Sequence, residues 1–455
     1  MKNTAEALGH EPMGRLMLRM TGPAIVALLV QALYNVVDAI FVGHGVGTLG
    51  IAGISIAFPL FIVVIGIGQL IGIGSASVIS RALGRRDVET AERALGNAFA
   101  LIAVFGIALL LVGLLASDPL MRLCGASEDV LPYAVSYISI ILAGAVMFNL
   151  SFTLSAIVRA EGDAIRATVP ILCSAVLNIA LDPLFIFGFH MGTAGAAWAT
   201  IIAQTVGAAY LIRHVFGGRS AVRLHARNLR LHTGIARETL AIGASSFIRT
   251  IAASLSIVVM NRLLGFYGSD LSIAIYGIVN RLLSFARMPV FGVVDGSQPI
   301  FGFNYGANRN DRVESAIWHA LIYGGLACAV FWALFLLFPG AFLAMFSSDA
   351  ELIQAGIPAL RWIVLVIPLF SVQAIVGGLY QALGRARQAF VISLLRDVAL
   401  IIPCAILLSR FFGTTGVWAA ASAADVLSAL VVMPMLIHEV RRLRRRHAIH
   451  EAAAA

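Results

Sequence analysis

Apolar runs of about twenty residues or more recur from one end of this 455-residue chain to the other. Nothing else in the sequence limits its fold as strongly. A run of that length crosses the hydrocarbon core of a bilayer as a helix. Helix is required there because lipid offers backbone groups no hydrogen-bond partners. Composition agrees: 60% of residues are hydrophobic and 12% are charged, against about 25% charged in soluble domains. The surface of such a chain must face lipid or other helices. The fold class read from this is an all-α integral membrane protein with twelve transmembrane spans. They are numbered 1 to 12: 15–42, 51–79, 94–116, 132–158, 167–189, 193–215, 238–264, 272–304, 315–338, 353–381, 389–411 and 415–438. Pro23, Pro59, Pro183, Pro289, Pro368 and Pro403 fall inside spans and predict kinks.

Charge fixes the expected topology. Basic residues gather in alternate connections. Lys2 and Arg15 open the chain, Arg81, Arg85, Arg86 and Arg93 mark the 2–3 loop, and Arg159 and Arg166 the 4–5 loop. Arg213, Arg219, Arg223, Arg227, Arg230 and Arg237 crowd the 6–7 loop. Arg309 and Arg312, then Arg385 and Arg387, mark the 8–9 and 10–11 loops, and Arg441 to Arg446 the tail. The intervening loops hold almost none, Arg122 and Arg410 being the exceptions. The positive-inside rule puts both termini in the cytoplasm of a plasma-membrane protein. The net charge of +9 is thereby explained by topology and anionic lipid headgroups. Nucleic acid is excluded as a partner, since no aromatics are interleaved with the arginines. The polar start has no cleavage site, so span 1 is expected to stay in the mature chain. Cys124, Cys173, Cys328 and Cys404 are scattered and indicate neither disulfide nor zinc.

The 6–7 loop is the longest polar connection and lies near the middle. Short matches follow on either side: Val88-Glu89-Thr90-Ala91 with Val313-Glu314-Ser315-Ala316, Ala160 to Ala164 with Ala382 to Ala386, and Gly192 to Gly195 with Gly413 to Gly416. An even number of spans separates the copies, so the halves are parallel repeats with their site between them near the midplane. The expected division is a first lobe over 1–216, a linker over 217–237, a second lobe over 238–440 and a basic tail over 441–455.

An ionisable side chain inside a span is costly and marks function by default. Asp38 in span 1 follows Tyr34 by one helical turn. Asn178 and Asp182 have the same spacing in span 5, and Thr200 lies in span 6. Two carboxylates, an amide oxygen and a hydroxyl suit a hard cation such as sodium. Burial that favours a protonated carboxyl is the alternative. The plainer reading is a structural pair, but no Arg or Lys lies at mid-depth in spans 1–6 to complete it. In the second half Asp295 stands as a possible second proton or substrate site. Arg249, Arg281, Arg287, Arg396, Asp397 and Asp425 read equally well as salt bridges within that lobe. Arg396 and Asp397 point apart on an α-helix and should pair with other spans. Phe58, Phe61, Met147, Phe148, Phe152, Tyr276, Met288 and Tyr380 are the candidates for an adaptable cavity wall. Gly66, Gly68, Gly72 and Gly74 read as close helix packing. HExxH, GxSxG and Walker motifs are absent, so no enzyme activity and no nucleotide or other cofactor is expected.

The stretch Tyr34-Asn35-Val36-Val37-Asp38, with Phe41-Val42-Gly43, Gly50 to Gly53 and Pro59, resembles the first two helices of the multidrug and toxic compound extrusion (MATE) family. Gly74 to Gly84, Asn178 with Asp182-Pro183, and Gly302 to Gly306 fit the same family. The resemblance implies two pseudo-symmetric six-helix bundles working by alternating access. It implies export of amphipathic or cationic small molecules in exchange for H+ or Na+. One branch of the family keeps its cation site in the first lobe, which maps onto Asp38, Asn178, Asp182 and Thr200 with Tyr34 nearby. Another branch uses acids in spans 7 and 10, whose interiors here hold none. Lipid-linked oligosaccharide flippases of the same superfamily are the rival reading. The expected protein is a monomer.

Overall fold

The computed structural model describes residues 3–218 and 220–454, so Lys2 and Arg219 of the charge pattern lie outside the described residues. Nine helical stretches are long and apolar enough to cross a membrane. Two further spans are bent pairs: Leu131–Ala143 with Ala145–Ala160, bent by 52°, and Ala350–Val364 with Pro368–Ala382, bent by 46°. The stretch Ala386–Ile449 holds two spans, because Gly413 (φ 57°, ψ −135°) breaks it. Among the described residues this gives the twelve expected spans.

Spans 1 and 2 run together as Met13–Gly84 and part at Gly47, whose φ of 76° is open to glycine at little cost. At both glycine breaks the chain doubles back. A Cβ on Gly43 would lie 3.3 Å from Ile51 Cδ1, and one on Gly416 would lie 2.2 Å from the Leu408 carbonyl oxygen. Residues eight apart in a straight helix are separated by about 12 Å. The sharper of the two bent spans, broken at Gly144, has no proline at the break. A Cβ there would meet the Ile201 side chain at 2.4 Å, so close packing against span 6 sets it. Two of the predicted proline sites adjoin π-helical turns. Pro183 precedes Leu184–Gly188, and Leu395–Leu400 lies just before Pro403.

The internal repeat is written in the backbone. Arg86 and Asn308 have φ of 60° and 58°, Gly162 and Gly384 89° and 75°, and Gly192 and Gly413 58° and 57°. These pairs stand 222, 222 and 221 residues apart. The pairing of Val88 with Val313 is therefore out of step by three. Span 3 begins at Val88 and span 9 at Asn310. A three-residue slip is nearly one helical turn and keeps the same face, so sequence pattern tolerates it.

Each half buries its own apolar core, but the division is not clean along the sequence. Leu16, Met17 and Met20 at the start of span 1 pack in the core of the second half, whereas Val42 near its end packs in that of the first. Span 7 mirrors this: Ile242 sits in the first core and Met260 in the second. The 6–7 linker is stitched to the first lobe. Asn97 Nδ2 donates to the His232 carbonyl at 3.1 Å, and His232 N–H donates to Asn97 Oδ1 at 3.0 Å. Ser220 Oγ and Ala221 N–H donate to the buried Glu161 carboxylate at 2.5 and 2.9 Å.

The lobes meet on the side of the arginine-bearing loops. Of the glycines predicted to mark close packing in span 2, Gly66 and Gly74 face span 7, whereas Gly68 and Gly72 face Asn149, Phe152 and Thr153 of span 4. A Cβ on Gly74 would lie 2.0 Å from the Thr239 carbonyl oxygen, and one on Gly243 would lie 1.7 Å from that of Leu70. Ser77 Oγ donates to the Gln381 carbonyl at 2.5 Å, and Arg81 pairs with Glu238 at 2.9 Å. The short helix Asn3–His10, which sequence reading missed, adds a strap: Asn304 Nδ2 donates to the Leu8 carbonyl at 2.9 Å, and Arg309 to that of Gly9 at 2.5 Å.

Candidate cation site and the cavity between the lobes

Spans 1, 5 and 6 bring the sequence-predicted residues of the first lobe together. Asp182 is fully buried, and Asn178, Thr200 and Tyr34 nearly so. The carboxyl groups of Asp38 and Asp182 lie within hydrogen-bond reach of one another. One oxygen of Asp38 is buried with no partner. Only one orientation of the Asn178 amide satisfies both of its ends: its nitrogen donates to Asp182 Oδ2 at 3.2 Å and its oxygen accepts from Thr200 N–H at 3.3 Å. The amide therefore offers the acids its N–H, and the oxygen expected as a cation ligand is turned away. Tyr137 of span 4, buried beside Asp38, Tyr34 and Asp182, completes the cluster. Nothing in the sequence around it marks that role.

A cavity runs from this cluster to the seam between the lobes. Tyr34, Asn178 and Thr200 lie on its wall, while the two acids sit one layer behind them. Phe148, Phe152, Leu28 and Ile171 give it an apolar surface, and Gln31 and Gln204 add polar groups. This is the composition of a small-molecule site. Of the aromatic and Met candidates, Phe148 and Phe152 line it. Phe58 and Met147 are exposed elsewhere, and Tyr276 and Tyr380 are buried in the second lobe.

Asp295 is on the same wall, held 3.1 Å from Arg159 at the end of span 4. It bridges the lobes there. Beyond that ion pair lies a second, smaller cavity, lined by Ser77, Ser80, Gln298 and Ala382. The Arg159–Asp295 pair borders both. It divides the space between the lobes into a larger chamber at the cation cluster and a smaller one toward the arginine-bearing loops.

Of the remaining charged residues of the second lobe, Arg281 is exposed, while Arg396, Asp397 and Asp425 cluster. Arg396 bonds to Asp425 at 2.5 Å, as expected across spans, and to Asp397 at 2.7 Å. That neighbour bond departs from the expectation that the two side chains diverge. The residues sit in the π-helical turn Leu395–Leu400, where the wider backbone rotates successive side chains less.

A profile of the MatE family matches this chain twice, over residues 23–184 and again over 245–407. The chain belongs to the MatE family. The two matched segments begin 222 residues apart, the spacing of the repeated backbone turns. Among curated relatives, the multidrug export protein MepA of Staphylococcus aureus is 27% identical over 424 residues, covering 93% of each chain. The solved structure of the MATE multidrug transporter DinF-BH is 37% identical, with a TM-score of 0.87 over 94% of this chain and 97% of that one. An outward-facing multidrug resistance MATE family transporter of the MOP superfamily shares the fold, with a TM-score of 0.92, 24% identity and coverage of 97% and 99%. This MatE protein is a multi-pass membrane transporter with two six-helix bundles.

Proposed function

We propose that this MatE protein is a secondary active exporter of amphipathic or cationic small molecules, driven by a proton shared between Asp38 and Asp182. The observation that carries the reading is the chamber between the lobes, with two acids in hydrogen-bond reach of each other behind its Tyr34, Asn178 and Thr200 wall. An ionised carboxylate has no hydrogen to donate. Two carboxyl groups in hydrogen-bond contact therefore hold one proton between them, or repel. Loss of that proton leaves like charges in a dry site. Their separation moves span 1 against spans 5 and 6, and with it the Tyr34, Asn178 and Thr200 wall that cargo touches. A ligand binding one arrangement better shifts the balance between them. Sodium at Asp38, Asn178, Asp182 and Thr200 is the second reading. It requires the Asn178 amide to turn its oxygen toward the acids.

With the arginine-bearing loops in the cytoplasm of a plasma-membrane protein, the seam described above closes the cytoplasmic side, and cargo leaves from the opposite one. The protein acts as a carrier without enzymatic turnover. The names of the relatives, a multidrug export protein for MepA and a multidrug transporter for DinF-BH, favour this reading over a lipid-linked oligosaccharide flippase. The test is drug efflux from proteoliposomes with proton and sodium gradients imposed separately, for the native protein and for Asp38→Asn and Asp182→Asn. Proton-driven export that both substitutions abolish is the expected result. Equal export by the variants would refute the assignment, and export driven by sodium alone would move it to the second reading.

A further inference from the structure

Spans 7, 11 and 12 are the repeat partners of spans 1, 5 and 6, which build the acid cluster. In the second lobe the same three helices carry Arg249, Arg396 with Asp397, and Asp425. Span 8 adds Arg287. Here the polarity is reversed. Asp397 and Asp425 both bond to Arg396. Arg287 and Arg249 have no carboxylate within ion-pair distance among the described residues. Their guanidiniums rest instead on aromatic rings: Arg287 on Phe370 at 4.8 Å and Arg249 on Phe291 at 5.3 Å. Arg396 lies against the same Phe370 ring, 5.3 Å from its centroid, and the Phe291 and Phe370 rings meet edge to face at 5.7 Å. Three guanidiniums thus share one aromatic pair, and two carboxylates face them.

The donors are not used up. Nη2 of Arg396 and Nε of Arg287 are buried with no acceptor, and Arg396 as a whole is 3% exposed. Such a donor calls for a partner. Arg19, Arg81, Arg159 and Arg385 also leave one buried nitrogen without a hydrogen-bond acceptor, but among the described residues only Arg287 and Arg396 do so against one shared ring. The cluster has three cations and two anions, so a single negative charge would balance it. Neither cavity described above is lined by Arg249, Arg287 or Arg396. The missing partner is therefore separate from whatever those cavities hold.

We propose that the second lobe binds a monovalent inorganic anion of chloride's size, held by Arg287 Nε and Arg396 Nη2 with Arg249 supplying further positive charge. Guanidinium forks are suited to such an anion, and the π-helical turn that holds Arg396 is a backbone irregularity often found at binding sites. The MatE fold then uses one helix set twice with opposite sign: an acid pair for a cation in one lobe, and an arginine group for an anion in the other. The assignment rests on this lobe alone and does not depend on the transport reading.

The test uses the purified full chain in lipid nanodiscs. Thermal unfolding is followed as sodium chloride or sodium bromide replaces sodium gluconate at fixed sodium and ionic strength, so that the first lobe sees no change. Saturable stabilisation at millimolar anion is expected. In Arg287→Lys, which keeps the charge but not the fork, the half-saturating concentration should rise about tenfold or more. Arg249→Gln, farther from the unpaired donors, serves as a second variant where the first does not fold. Bromide-soaked crystals should show an anomalous peak between Arg287 and Arg396. A wild-type response to chloride no larger than to gluconate, an unchanged half-saturation in both variants, or water alone between the two guanidiniums would overturn the proposal.

Discussion

Gly243 tests whether the seam between the lobes is a true closing surface. In the structure a Cβ at this position would lie 1.7 Å from the Leu70 carbonyl oxygen and 2.5 Å from the carbonyl carbon. Both atoms are backbone, so no side chain can swing aside. Cβ contacts under 3.0 Å are essentially never seen, so Gly243→Ala must push spans 2 and 7 apart by more than an ångström. Overpacking of that kind costs about 1–3 kcal/mol. The cost falls on any state in which the start of span 7 packs on span 2, so a shift in the closed-to-open ratio tests whether that contact opens with the lobes. The ratio of closed to open molecules should therefore drop by about 5- to 150-fold. Spin labels placed at Arg86 and Asn308, on the arginine-loop side of the two halves, would report the change as a longer distance population in pulsed electron resonance. Gly74→Ala meets the Thr239 carbonyl oxygen at 2.0 Å and should act in the same direction. Gly277→Ala has nothing within 4 Å and serves as the silent control. Identical distance distributions in Gly243→Ala and Gly277→Ala would refute the argument, since they would show that the contact is not specific to one state.

Replacing Arg159 by Met leaves Asp295 without its partner at the boundary between the two chambers. We expect the closed seam to weaken by about 1–3 kcal/mol, read as slower disulfide trapping of a Ser77→Cys, Gln381→Cys pair. Burial pushes the Glu161 carboxyl, which holds the linker outside the membrane spans, from 4.5 up to about 7. The folded state binds that proton more tightly, so its stabilising effect is complete below pH 4.5 and is lost as pH rises through about 7. Thermal stability in detergent should fall over that window by up to ~3 kcal/mol, and Glu161→Gln should flatten the dependence. Cutting the strap by deleting residues 3–10 removes the acceptors of Asn304 and Arg309. It should raise the accessibility of a cysteine placed at Gln298, measured by maleimide labelling, while the Asp38 cluster is untouched.

The spans were legible because composition alone forbids a water-facing surface, and the glycine turns at Gly47 and Gly413 sit where the loops were read. The acids of the first lobe were legible for a related reason: a carboxylate in an apolar run has few explanations. Tyr137 was not, since an aromatic in a span is ordinary packing until its neighbours are known. Asp295 was noticed but its partner was not, because Arg159 lies at a helix end where sequence shows only a loop charge. The second-lobe arginines were ambiguous for the same reason. Nothing local tells that Arg287 and Arg249 lie on phenylalanine rings 5.7 Å apart while the carboxylates go to Arg396. The three-residue error in the repeat shows the limit of pattern matching: a helix turned almost once looks the same from its side chains.

Spans 1 and 7 each begin in one lobe's core and end in the other's, and the linker is pinned to the first lobe up to His232, one residue before span 7 starts. No slack tether joins the halves. Rocking between states must be absorbed as bending or torsion inside two helices that are shafts common to both bodies. Stiffening those shafts, or inserting a turn in either, would change the stroke of the machine without touching cargo or ion.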